Sequence, residues 1–347
     1  MSPKDIAARR STHFANSAEL AGRPRVAPTS DFCNLGGTTL IQEPLIIGQN
    51  TPYPLKGLLT LPEGPGPFPA AVLVHGSGSS NMDEKVGKLT PFKDIALGLA
   101  QRGVATIRYD KRSFTHGLKM VADKNLTVTV REETIDDALL AAKLLRADER
   151  IDAGRVFLIG HSMGAMLAPR IECEGGDFRG LVLMAGTTRR MEEVLMAQTA
   201  EVMATLPRFL GWIGRKQPAK LEKLFDGLYD LSDEEAKAKK VGGGTTLYYF
   251  KEMGDPTVAD WLDRTKKPML VMQGEKDCQV KADVDFARYK ELLGDRDNVA
   301  FRLYPGLNHA FVPARFDSLA KAKQEFTPER HMGPEVLDDI ADWIKAQ

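Results

Sequence analysis

The residues Gly160-His161-Ser162-Met163-Gly164 set a hydroxyl between glycines, directly after the apolar run Val156 to Ile159 and ahead of a helical stretch. A serine so placed occupies a tight strand-to-helix turn, and the glycines are needed because side chains there would collide with the neighbouring strand and helix. The turn lifts the hydroxyl above a sheet. The helix start adds positive potential and an N–H with no intrahelical partner, that of Met163. The chemistry this suits is attack by the Ser162 oxygen on a carbonyl carbon. The bland alternative is a Gly/Ser-rich turn with no reaction.

A lone serine is a poor nucleophile and needs a base, which in turn needs an orienting group. Six histidines are available. His161 lies inside the turn and is expected to point away from the hydroxyl. His75 ends a strand, His13 and His331 sit in polar, irregular contexts, and His116 falls in a long polar loop after Arg112. His309, in Gly306-Leu307-Asn308-His309-Ala310-Phe311, follows a strand and precedes the last helix, so it can reach back over the sheet. The acid is expected from another strand end. Gly274-Glu275-Lys276-Asp277 directly follows the strand Met269 to Met272. Asp277 lies about 30 residues before His309, one helix and one strand away. Glu275 and Asp283 are rival acids, and a local salt bridge is the bland reading of Asp277.

The elements that must hold these groups alternate. Short, wholly apolar runs at Ala70 to Val74, Val104 to Ile107, Val156 to Ile159, Leu181 to Met184, Met269 to Met272 and Ala300 to Tyr304 read as strands buried on both faces. Between them Phe92 to Arg102, Glu133 to Leu145, Met163 to Ile171 and Val284 to Leu293 read as helices, and Val336 to Ile344 closes the chain as another. Leu45 to Ile47 and Leu55 to Leu61 suggest an antiparallel opening. The fold class is therefore α/β: a mostly parallel mixed sheet with helices on both faces. Pro169, inside the helix after Ser162, should remove one backbone bond and bend it.

With Val74-His75-Gly76-Ser77-Gly78 and Arg108-Tyr109-Asp110-Lys111-Arg112 added to the serine and aspartate motifs, the chain from about residue 40 onward resembles the α/β-hydrolase superfamily. Within it, the pattern resembles bacterial esterases related to dienelactone hydrolases and to acyl-peptide-releasing peptidases. The resemblance implies ester or amide hydrolysis through an acyl-enzyme, with Ser162, Asp277 and His309 as triad and no metal or organic cofactor. It makes the Ser77 N–H the partner of Met163 in an oxyanion hole, with Gly76 and Gly78 as alternatives. Gly76, His161 and Tyr249 are candidates for substrate contact. The charges from Asp110 to Arg112 either touch substrate or tie the loop down.

Residues 1–37 read as an N-terminal arm, 38–186 and 266–347 as the hydrolase core, and 187–265 as a helical insertion. The insertion shows helical stretches at Met191 to Leu206, Ala219 to Leu228 and Asp233 to Lys240 and no strand pattern, and Gly242 to Gly244 form a joint. It is expected to cover the carboxyl edge of the sheet as a lid, where ligands bind in such sheets.

Lysine plus arginine and aspartate plus glutamate each number 47, so the formal charge is zero and nothing draws a polyanion. Nucleic acid is not an expected partner, and low colloidal repulsion leaves room for a homodimer. Three scattered cysteines show no metal or disulfide spacing. No apolar leader or membrane span stands out, so the expectation is a cytoplasmic carboxylesterase acting on small esters. The rivals are a peptidase or amidase using the same apparatus, and a binding protein that has lost turnover.

Overall fold

The computed structural model describes residues 31–35, 38–207, 211–242 and 244–347. In chain order the strands and helices are β1 (Asp31–Leu35), β2 (Thr38–Ile47), β3 (Leu55–Leu61), β4 (Phe68–Val74), α1 (Pro91–Ala100), β5 (Ala105–Tyr109) and α2 (Arg112–Ala122). There follow α3 (Asp136–Arg146), β6 (Ile151–His161), α4 (Met163–Ile171), β7 (Leu181–Met184), α5 (Met191–Ala204), α6 (Gly211–Phe225) and α7 (Asp233–Ala238). The chain ends through β8 (Lys240–Gly242), β9 (Thr245–Thr246), α8 (Leu247–Gly254), α9 (Val258–Arg264), β10 (Met269–Gly274), α10 (Ala287–Leu293), β11 (Val299–Tyr304), α11 (Ala322–Glu325) and α12 (Pro334–Ala346).

Nine strands form one sheet in the order β1-β2-β3-β5-β4-β6-β7-β10-β11. The six from β5 to β11 run parallel, and β3, β2 and β1 continue the sheet antiparallel. Parallel strands need covering on both faces, and the side chains alternate accordingly. Val72 and Val74 point into one core with Leu158, Leu183 and helices α3 and α4. Ala71 and Leu73 point into the other with Phe157, Val182, Met184 and helices α1 and α12. From β4 the chain first adds β5 on one side and then crosses to add β6 on the other. That reversal opens a crevice at the carboxyl ends of β4 and β6, the place where such sheets hold ligands.

Besides the helices α8, α9 and α11, which no sequence pattern marked, three departures from the sequence expectations stand out. Asp31–Leu35, at the end of the expected arm, is an edge strand paired with β2; residues 1–30 and 36–37 lie outside the described residues. The expected polar loop after Arg112 is the helix α2, and the motif before it is split between β5 and that helix. Gly117 and the residues Ser113 and Thr115 lower helix propensity there, but the apolar side chain of Met120 and a buried Arg112 anchor it. The insertion, expected to hold no strand, contains the short β8–β9 pair. Gly242, which ends β8, and Gly244, just before β9, connect the two strands at positive φ (147° and 87°), and Gly243 lies outside the described residues.

Candidate active site

Ser162 sits between β6 and α4 with φ 53° and ψ −116°, a backbone conformation that few L-residues adopt. Its neighbours explain how it is held there. A Cβ on Gly160 would come to 2.3 Å from the Gly164 carbonyl oxygen, and one on Gly164 to 2.1 Å from that of Val74. Only glycine lets β4, β6 and α4 pack this closely. The Ser162 N–H donates to the Met184 carbonyl (2.8 Å), and the Ser162 carbonyl accepts from Ala165 (3.0 Å) and Met166 (3.2 Å). The side chain is half-exposed while every residue from Met163 to Ile171 is buried.

His309 and Asp277 meet. The imidazole Nδ1 lies 2.6 Å from Asp277 Oδ2. Asp277 is buried, and its other acceptor positions are filled. Gln273 Nε2 donates to Oδ2 (2.9 Å), and the N–H groups of Gln279 (2.8 Å) and Val280 (3.0 Å) donate to Oδ1. A carboxylate fixed at both oxygens can hold one tautomer of the ring. The loops are pressed together, since a Cβ on Gly274 would lie 2.5 Å from the Asn308 carbonyl oxygen. Asn308 pins the His309 loop by accepting from Ala310 N (3.0 Å) and donating to Glu325 (3.3 Å). The rival acids do not reach the ring. Glu275 accepts the Gly306 N–H at 3.0 Å, and Asp283 is exposed.

Ser162 and His309 line one cavity of about 180 Å³, together with Gly76, Ser77, Glu84 and His161. A second, mainly apolar chamber of about 250 Å³ is lined by Ser77, Met163, Met120, Leu195, Tyr249 and Phe250, among others. Ser77 belongs to both walls. Among the described residues no acceptor engages the Ser77 N–H. Gly76 is different: its N–H donates to Glu84 Oε1 at 2.7 Å, which removes it as an alternative oxyanion donor. It does lie close to the serine, since a Cβ added at Gly76 would fall 3.1 Å from Ser162 Cβ.

The other singled-out residues have partners. His161 stands 2.9 Å from Glu84 through Nδ1 and 2.9 Å from the His309 carbonyl oxygen through Nε2. Tyr249 lines the apolar chamber by its ring, while its hydroxyl donates to Glu133 Oε2 (2.7 Å). Of the charged run, Lys111 donates to the carbonyls of Gly76 (2.9 Å) and Gly78 (3.1 Å), and Asp110 accepts from Met82 N (2.8 Å). Arg112 forms a bidentate pair with Asp137. Lys111 and Asp110 thus tie the glycine loop to the end of β5, while Arg112 ties α2 to α3. His75 meets the Asn81 carbonyl through Nε2 (3.0 Å), and burial lowers its pKa to about 4. His116 meets the Pro54 carbonyl and His331 meets Asp94, both away from Ser162; His13 lies outside the described residues.

Sequence reasoning missed Glu84, Glu133 and Gln273. Glu84 lies in Asn81-Met82-Asp83-Glu84-Lys85, which reads as an ordinary solvated loop, and no local pattern marks it as buried. Gln273, at the end of an apolar strand four residues before Asp277, did carry a signal: a polar side chain at a buried strand position needs a partner. Among the described residues no cluster of His, Cys, Asp and Glu is arranged to hold a metal ion, and no helix is long and apolar enough to cross a membrane.

Known proteins share this architecture. Esterase EstD of Thermotoga maritima is 36% identical over 290 residues, which cover 84% of this chain and 65% of that protein. The chain thus spans just under two thirds of that relative's length. A Pyrococcus furiosus esterase superposes with a TM-score of 0.50 at 17% identity, covering 88% of this chain and 90% of the other. Acetyl xylan esterase 1 from Thermoanaerobacterium gives 0.50 at 15% identity, with 88% of both chains covered. At these identities the likeness is one of fold. The alpha/beta hydrolase family model matches residues 71–322, well over half the chain, and the protein belongs to that family.

Proposed function

We propose that the protein is a carboxylesterase that cleaves small acyl esters through an acyl-enzyme, with Ser162 as nucleophile, His309 as base and Asp277 as the orienting acid. The observation that carries this reading is the 2.6 Å contact between His309 Nδ1 and buried Asp277, at the wall of the same cavity that exposes the strained Ser162. The identity to an esterase supports ester over amide as the first substrate class.

In the first step the Ser162 oxygen bonds to the ester carbonyl carbon and His309 Nε2 takes its proton. The carbonyl π electrons move to oxygen, and the N–H groups of Met163 and Ser77 stabilise that oxyanion. Collapse re-forms the carbonyl, breaks the bond to the alcohol oxygen, and His309 returns the proton to it. Water then repeats the sequence and frees the acid. The alcohol must leave beside His309, which lines the polar cavity and not the apolar chamber. The acyl chain therefore takes the chamber beyond Ser77 and Met163. Met191, Leu195, Tyr249 and Phe250 from the 187–265 insertion line that chamber, which supports the insertion as the cover of the acyl site.

Labelling with a fluorophosphonate probe, on wild type and on Ser162→Ala, tests the reading, followed by p-nitrophenyl esters of increasing acyl length. Labelling lost in the variant and fastest turnover on short chains are expected. A folded wild type that takes no label would overturn it.

A further inference from the structure

We propose that His161 acts as a positioning imidazolium: doubly protonated, it bridges Glu84 and the His309 backbone and so locks the glycine loop, the Ser162 turn and the base loop into one working geometry. This rests on the reading of Ser162 and His309 given above.

Nδ1 of His161 faces Glu84 Oε2 at 2.9 Å, and Nε2 faces the His309 carbonyl oxygen at 2.9 Å. A carboxylate and a carbonyl can only accept. A neutral imidazole has one N–H, so it can serve one of these acceptors and must turn a lone pair on the other. The imidazolium has two: Nε2–H donates to the His309 carbonyl, and the protonated Nδ1 forms a close ion pair with Glu84 whose alignment falls short of a hydrogen bond. Glu84 extends the bridge, because its Oε1 accepts the Gly76 N–H at 2.7 Å. One chain of contacts thus runs from Gly76, next to Ser77, by a hydrogen bond to Glu84, by an ion pair to His161, next to Ser162, and by a hydrogen bond to the main chain of His309. Each of the three loops that must converge on a reacting carbonyl is held at one point.

The bridge lies out of water, with Glu84 5% and His161 7% exposed, and the Glu84 backbone is itself held at φ 50°. The charged and titratable groups around it are few. Glu84 comes from the loop after β4, and His75 from the end of that strand. Lys111 lies at the β5–α2 junction, and Asp277 with His309 on the two loops opposite. The His309 ring lies 4.8 Å from that of His161. His75 is held neutral by burial, and Lys111 is spent on the Gly76 and Gly78 carbonyls and on Glu133. Asp277 already pairs with His309. Glu84 is left as the counter-ion. Burial alone would lower the His161 pKa, but the Glu84 charge, the His309 carbonyl and Asp277 outweigh it and raise it to about 8.

The direction follows from the sign of that shift. The bridge is complete below about pH 8 and loses its ion pair to Glu84 as pH rises through that value. Wild-type kcat/KM should therefore carry an alkaline limb near pH 8, falling about tenfold per pH unit beyond it. Glu84→Gln keeps an acceptor for Gly76 but removes the charge, so the limb should move to lower pH. His161→Gln can serve only one of the two acceptors well; its kcat/KM should fall by up to about 100-fold at neutral pH and lose the limb altogether. A role limited to packing would lower rates without moving the limb.

The experiment is a pair of titrations on the full chain. The first follows kcat/KM on a p-nitrophenyl ester from pH 6 to 10 in wild type, Glu84→Gln and His161→Gln. The second follows the His161 ring nitrogens by ¹⁵N NMR in wild type, assigned by their loss in His161→Gln. Both nitrogens bearing protons at pH 7, with release coinciding with the alkaline limb, is the expected result. A neutral ring at pH 7, or a limb at the same pH in Glu84→Gln, would overturn the proposal. The NMR titration needs no turnover, so it judges the bridge even if fluorophosphonate labelling refutes the serine mechanism.

Discussion

The two cavities that meet at Ser77 are built differently. The polar one is walled by loops at the strand ends, and its groups are fixed by buried hydrogen bonds: Asp277 by Gln273, Gln279 and Val280, the His309 loop by Asn308, the glycine loop by Lys111 and Glu84. The apolar chamber is walled mainly by apolar side chains from α2, α5 and α8, with few directional bonds among its lining, such as those of the Tyr249 hydroxyl to Glu133 and Met163. Hydrogen bonds fix position to fractions of an ångström, whereas apolar contacts tolerate replacement by similar volumes. Substitutions in the first wall should therefore strike the rate, and substitutions in the second should change which acyl chain is preferred.

The largest effect expected is at Ser162. On the proposed mechanism Ser162→Ala removes the bond-forming atom and should lower kcat by about a millionfold with little change in stability, as read by esterase assay and thermal melting. Since the alanine would inherit a positive φ, any melting change should be small beside the lost activity. Asp277→Asn comes next. The amide cannot hold the ring in the tautomer that leaves Nε2 free to take a proton, and a kcat loss of about 10⁴ is expected. A loss within tenfold of wild type would mean that Glu275 or water supplies the orientation, and the contrast between the two walls would weaken.

A second contrast lies within the polar wall. His75 and His161 are both buried at neighbouring strand ends, yet burial lowers the first to about 4 while Glu84 and its other partners raise the second to about 8. For His75 the unfolded chain takes up a proton near the ordinary value of 6.5, and the folded chain refuses it until about pH 4. The unfolded state therefore binds more protons in that window, and stability falls as pH drops through it. The full difference is about 3 kcal/mol. For His161 the sign is opposite: its contribution is present below 6.5 and is lost as pH rises through about 8. Urea unfolding from pH 4 to 9 should show the acid-side loss in wild type and its reduction in His75→Gln. An unchanged slope in that variant would assign the loss to other groups.

Much of this is legible in the residues alone. The alternation of apolar runs marks which strands are buried on both faces, and Met163–Ile171 and Leu181–Met184 fall where the pattern puts them. Ser162, Asp277 and His309 stand out because each needs a special place, a tight turn or a loop just past a strand. What is not legible depends on contacts distant in sequence. Arg112 anchors α2 through Asp137, 25 residues on, so the helix begins in a stretch that reads as loop. Glu84 acquires its role from His161, far along the chain, and nothing around it in sequence announces burial. In the sequence the Gly76 N–H looks as suitable for an oxyanion as that of Ser77; in the fold, Glu84 occupies it.

The smallest effect tests the apolar wall. Leu195, on α5 of the insertion, lines the chamber and lies on a half-buried face, so a larger ring there can be accommodated by filling the cavity. Leu195→Trp should shorten the chamber without touching Ser162, His309 or their bonds. Turnover of the shortest p-nitrophenyl ester should stay within about threefold of wild type, while longer chains lose about tenfold in kcat/KM. That is the scale of one or two methylenes in a hydrophobic pocket. The loss should appear mainly as discrimination between chain lengths. A uniform fall across the series would instead mean that the insertion positions the reacting groups themselves, and the division of labour between the two walls would not hold.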